Sequence, residues 1–204
     1  MSSNTHKKFG VLLLIIVLGL VMTGCASTQV YGDVRMVNPE PEAHNPLLFE
    51  DDQISALFIP LLNVNQSTGR LESIMLNLIN LSEEEPISII WDDAVYVNIH
   101  GESSQLYGEA TFSYPGDRIP STTISAGARS EINLVPEEVI YYDDEEGWTR
   151  GPYYEITPGN IGTYDGSTIK IILPIEVAGE IQEYEFEFVA NYLVEETGFF
   201  EGLF

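Results

Sequence analysis

Apolar and polar side chains alternate through most of the chain from Leu47 onward. In "EIQEYEFEFVANYLV" (180–194), Tyr184, Phe186 and Phe188 alternate with Glu183, Glu185 and Glu187. A period of two puts successive side chains on opposite faces, so this segment predicts a strand with one wet face and one buried face. "LESIMLNLINL" (71–81) carries Ile74, Leu76 and Leu78 on one face, and "AVYVNI" (94–99) sets Val95, Val97 and Ile99 against Tyr96 and Asn98. Further strands are expected at "QISALFIPLL" (53–62), "ISIIW" (87–91), "SEINLVP" (130–136) and "TIKIILPIEV" (168–177), while "EVIYY" (138–142), the turn at 143–147 and "WTRGPYYEI" (148–156) suggest a hairpin or a long excursion. Pro60 marks the first of these as an edge or the site of a bulge.

The segments between strands read as turns. "NQSTGR" (65–70), "SEEEP" (82–86) and "DDEEG" (143–147) are polar, and Gly101 and Gly179 end or join strands. No stretch after residue 25 sustains a helical period. Short strands at close spacing predict an all-β fold, a two-layer antiparallel sandwich of immunoglobulin-like or fibronectin-like kind. Trp91 is the candidate buried plug of its core, with Asp92 capping the bend beside it.

The first residues follow different rules. Lys7 and Lys8 precede Val11 to Val21, which is almost wholly Val, Leu and Ile, and Met22, Thr23, Gly24 and Cys25 follow. A basic patch, a short apolar core and small residues before a cut site make a secretory signal. The apolar run falls short of the roughly 20 residues that cross a bilayer. Met22-Thr23-Gly24-Cys25 resembles the lipobox of bacterial lipoprotein signal peptides, with Met22 where Leu is usual. The resemblance implies a diacylglycerol on the Cys25 thiol, cleavage between Gly24 and Cys25, and acylation of the new amino terminus. Ala26, in place of the Asp associated with inner-membrane retention, implies the outer membrane in a double-membraned host.

Cys25 is the single cysteine, so no disulfide supports the rest of the chain. "ASTQVYGDVRMVNPEPEAHNP" (26–46) is polar and interrupted by Pro39, Pro41 and Pro46, and is expected to be a tether. The predicted organisation is a signal peptide at 1–24, lipidated Cys25 and its tether at 25–46, and a sandwich domain at 47–204. "NLINLSEEEPISIIWDDAVYVNIHGESSQLY" (77–107) also resembles a block of uncharacterised immunoglobulin-like bacterial lipoproteins, through Trp91, Asp92, Gly101 and Ser103. That family carries no assigned activity.

Charge narrows the partners. Eight Lys and Arg face 32 Asp and Glu, a formal net charge of −24, and losing Lys7 and Lys8 would make it −26. Such a chain repels nucleic acid and anionic headgroups and attracts cations. Hydrophobic residues still make up 44%, in ordered patterns, which argues against disorder.

Candidate chemistry is sparse. Acidic clusters stand at 83–85, Asp92-Asp93 and 143–146. The last, Asp143, Asp144, Glu145 and Glu146 before Gly147, has the oxygens of a calcium loop but lacks the alternating spacing that aims them inward. A solvated hairpin tip is the competing reading. His44 and His100 are isolated from other metal ligands, and no serine sits in a nucleophile elbow. Two carboxylates could hydrolyse a glycoside, but only within a cleft. No phosphate loop or dinucleotide fingerprint is present. Tyr141, Tyr142, Trp148, Tyr153 and Tyr154 crowd the acidic turn, and such side chains combine rigid apolar area with a polar handle. They are the candidate binding residues, for protein or carbohydrate; packing onto their own sandwich is the alternative. The apolar end, "TGFFEGLF" (197–204), is a candidate cover or partner contact. Together these readings predict a lipid-anchored envelope lipoprotein that is not an enzyme and contacts a membrane through its anchor. Its further partner would be an envelope protein or polysaccharide, with calcium-dependent or carbohydrate binding as an alternative and a carboxylate hydrolase less favoured.

Overall fold

A computed structural model describes residues 27–64, 68–109 and 119–197. The signal peptide with Gly24 and Cys25, part of the 65–70 turn, and residues 198–204 lie outside the described residues. Strands are the main element of what is described: β1 (Ser27–Asn38), β2 (Leu48–Glu50), β3 (Ile54–Val64), β4 (Gly69–Asn80), β5 (Ile87–Ile89), β6 (Val95–Val97) and β7 (Ser103–Gly108). They continue with β8 (Thr122–Ile124), β9 (Arg129–Pro136), β10 (Ile140–Asp143), β11 (Gly147–Arg150), β12 (Tyr154–Ile156), β13 (Ser167–Val177) and β14 (Glu180–Thr197). Among the described residues one short α-helix, α1 (Ile161–Tyr164), packs near the end of β14.

All pairings are antiparallel, and the path runs β1-β14-β13-β6-β7-β9-β4-β3-β2. β7 turns the corner. Its first half pairs with β6 in one layer, and its second half pairs with β9 in the other. The two ends of the path meet through Pro46 and Leu47, whose carbonyls accept from the backbone N–H groups of Met36 in β1 and Phe58 in β3 at 2.9 and 3.0 Å. The result is a near-closed, barrel-like antiparallel sandwich. Few edges are left open, which limits unwanted pairing with other chains.

The core lies between the layers. Phe58 of β3 meets Phe186 and Phe188 of β14 at centroid distances of 4.7 and 4.9 Å. The alternation read in β14 is the observed one: Tyr184, Phe186, Phe188, Ala190 and Tyr192 are buried. On the wet face Lys170 of β13 bridges Glu185 at 2.7 Å and Glu187 at 3.5 Å, exposed pairs that contribute little stability. Leu71 and Ile74 of β4 are three residues apart, yet both are buried. A register shift permits this: Leu62 pairs with Leu71 and Leu61 with Ser73, leaving Glu72 as the extra residue of a bulge. Pro60 lies beside it, past the reach of β2, which pairs no further along β3 than Leu57. Its missing N–H therefore takes nothing from the β2 ladder.

Trp91 is fully buried, as its pattern predicts. Pro174 of β13 stands where its neighbour changes from β6 (at Lys170–Ile172) to β5 (at Ile175–Val177). Proline offers no N–H to a neighbouring strand. The facing chain breaks there into a 3-10 turn at Trp91–Asp93, entered by a bond from Ile90 N–H to the Pro174 carbonyl of 2.9 Å. The turn sends the indole inward, where Nε1 donates to Thr122 Oγ1 at 2.8 Å. Asp92 accepts from the backbone of Ile119 at 3.0 Å, a tie to a distant segment beyond the local bend expected of it.

Two expectations need correction. Ser27–Asn38, placed within an irregular tether, is strand β1, paired along its length with β14. Val30, Val34 and Met36 are its buried residues, an alternation readable in the sequence. The prolines that disfavour regular structure begin only at Pro39, after the strand ends. The hairpin suggested over 138–156 is present as β10 and β11, but it ends at Arg150: Gly151 and Pro152 follow, and Tyr154–Ile156 is a separate strand, β12, paired with β4.

Candidate functional site

β10 and β11 form a two-stranded sheet apart from the main one. Asp143 pairs with Gly147, so three residues close the loop. Gly147 takes φ of +80°, the left-handed conformation that ends such loops with least strain. Asp143 Oδ1 accepts from the N–H groups of Glu145 and Glu146 at 2.8 and 3.0 Å. These two donors hold its carboxyl below the usual aspartate range. The acidic tip is thus a self-bonded turn, and among the described residues no three His, Cys, Asp or Glu side chains converge to hold a metal ion. The 83–85 cluster is a similar turn, with Ser82 Oγ accepting from Glu84 and Glu85.

Register decides the hairpin's faces. Ile140 pairs with Arg150 and Tyr142 with Trp148, so these four share one face; Tyr141, opposite Thr149, points to the other. Tyr141 and Tyr142 are 51% and 61% exposed and Trp148 39%, unusual for large aromatics in a chain with so full a core. The Tyr142 and Trp148 rings form a T-shaped pair at 5.6 Å and 78°. Beside Trp148 a groove opens between the hairpin and β9, lined by Glu109, Val135, Ile140, Trp148, Thr149 and Arg150. Arg150 Nη2 lies 3.2 Å from Glu109 Oε1, and Glu109 Oε2 accepts from Asn133 at 2.6 Å.

Tyr153 and Tyr154 do not join this face. Both are buried, with the Tyr153 hydroxyl donating to the Leu134 carbonyl at 2.9 Å and the Tyr154 and Tyr192 hydroxyls 2.6 Å apart. Burial pushes the Tyr192 phenol up to about 12. The neighbouring Tyr96 and Tyr154 phenols are also raised, chiefly by burial, so all three keep their protons at neutral pH. Tyr96, Tyr153 and Tyr154, with Tyr164, Asn98, His100 and Glu138, line a small polar pocket. Adjacency in sequence to the exposed aromatics concealed this separation; Gly151-Pro152 is the signal for it. His44 and His100 are exposed, and the backbone of His100 is held by Asn98 Oδ1 in the β6–β7 turn.

The fold and this face together define an all-β, barrel-like sandwich that presents an aromatic hairpin to solvent. No protein-family model, curated protein or solved structure matches the chain. Among the described residues, no helix is long and apolar enough to cross a membrane.

Proposed function

We propose that the protein is a lipid-anchored lipoprotein of the bacterial cell envelope, a non-enzymatic interaction module whose binding element is the β10–β11 hairpin. The observation that carries the binding role is the exposure of Tyr141, Tyr142 and Trp148 on a hairpin outside the main sheet. Exposed aromatic groups of this kind are enriched where proteins meet partners. Attachment rests on the lipobox resemblance around Cys25. Its consequence is mechanical: β1 begins at Ser27, so a lipid on Cys25 leads almost directly into a strand of the sheet. Two or more acyl chains anchor stably where one does not. Kinship with immunoglobulin-like domains belongs to the same reading, supported by the layered antiparallel strands and the buried Trp91. The partner is an envelope protein or polysaccharide, and in a double-membraned host the outer membrane is the place.

Mass spectrometry of the protein purified from a bacterial envelope tests the anchor. An acylated Cys25 at the amino terminus is expected, and an intact Met1 with a bare thiol overturns it. Crosslinking in the envelope tests the hairpin. Adducts formed by the native protein should be lost on Trp148→Ala with Tyr142→Ala, while the circular dichroism spectrum is retained. Unchanged adducts would locate the binding face elsewhere.

A further inference from the structure

The groove beside the hairpin indicates what is bound, on the premise that the hairpin is the binding element. Its lining is apolar at Val135, Ile140 and Trp148 and polar at Glu109, Thr149 and Arg150. Trp148 is steadied by Tyr142, so its ring is a pre-set surface. The charge of Arg150 is matched by Glu109, itself tied to Asn133. Arg150 Nη1, covered at the wall of the groove, has no hydrogen-bond partner. A small rotation of the guanidinium would offer that donor to an oxygen entering the groove.

We propose that this groove takes one ring of a neutral saccharide, its C–H face on Trp148 and its hydroxyls on Arg150 and Glu109. Size agrees. The groove holds about 230 Å³. A hexose ring takes up roughly the space of six waters, or ~180 Å³ at ~30 Å³ each. Sugar rings have one face of C–H bonds and a perimeter of hydroxyls that both donate and accept, which a lining with an indole, a guanidinium and a carboxylate complements. Charge selects neutrality: the cation in the groove is already paired, and the acidic tip at 143–146 and the net charge of −24 oppose an anionic polymer. A polyproline peptide, the other ligand of aromatic grooves, is fitted by aromatic-lined channels. Here the Tyr142 and Trp148 rings stand at 78° to one another instead of forming a parallel wall.

Tryptophan emission reads the site, because Trp91 is fully buried and bonded to Thr122 while Trp148 is exposed. The full-length protein in detergent would be titrated with chitotetraose, cellotetraose and mannotetraose, and in parallel with decaproline and an oligogalacturonate. At least one neutral tetraose should give a saturable blue shift. Because Trp148→Ala removes the reporter, the variants are read by isothermal titration calorimetry: Trp148→Ala should abolish binding and Arg150→Gln should weaken it about tenfold, with the thermal melt retained in both. Failure of all three neutral sugars overturns the inference, as does a response to decaproline or oligogalacturonate equal to or stronger than theirs. A sugar response that survives Trp148→Ala also overturns it. The envelope crosslinking separates the two readings: adducts dependent on Trp148 without any sugar response sink the saccharide but leave the hairpin as the binding element.

Discussion

The indole of Trp91 fills space that only a glycine at 108 leaves open. A Cβ there would stand 2.8 Å from Trp91 Cζ2 and 3.1 Å from Ile132 Cγ2. The indole cannot readily retreat, because Nε1 is bonded to Thr122. Gly108→Ala should therefore cost about 1–3 kcal/mol, the usual range for an overpacked core. Urea unfolding would measure it, and unchanged stability would mean that the indole has room to move. Asn80 is the converse, a buried polar group fully used. Its amide donates to the carbonyls of Glu85 and Ile124, at 2.9 and 3.1 Å, and its oxygen accepts from the Ser82 N–H at 3.0 Å. Asn80→Ala strands three backbone groups, and we expect a loss of about 2–4 kcal/mol in the same measurement.

At the scale of elements, the hairpin owes its shape to its turn. Asp143 Oδ1 accepts two backbone N–H groups as a carboxylate. Its folded-state affinity for a proton is therefore lowered. The sign follows: the contribution is present above the ordinary aspartate range and is lost as pH falls through the depressed value. Asp143→Ala should raise amide exchange at Glu145 and Glu146 at neutral pH. The difference from the native protein should shrink in acid, and a difference independent of pH would assign the effect to something other than the charge. The β5–β6 break is the element-scale counterpart of Pro174, where one missing N–H becomes a turn that seats the core tryptophan.

The whole chain carries a net charge of −24, and its described buried apolar residues form one core cluster. Like charges at this density repel, and the repulsion acts against the compact state. Salt at about 0.15 M screens beyond roughly 8 Å. The melting temperature should thus rise from low salt to physiological salt, since the four described ion pairs that screening would weaken lie on exposed or partly exposed side chains. A fall in melting temperature on the same titration would show that attractive pairs outweigh the repulsion. The circuit of strands, closed by Pro46 and Leu47, also gives the polar stretch after β1 a structural role.

The strands of period two, the turns at 82–86 and 143–147, the burial of Trp91 and the aromatic wealth around the acidic turn were all legible in the chain. Each depends on neighbours within a few residues. Tertiary structure alone decided which strands pair. Ser27 lies opposite Thr197, and Leu71 joins Ile74 only through the bulge at Glu72. It also divided one run of aromatics into an exposed face and a buried tyrosine cluster. Such outcomes turn on contacts between segments far apart in sequence, where the available partner, not the local pattern, sets which face is covered.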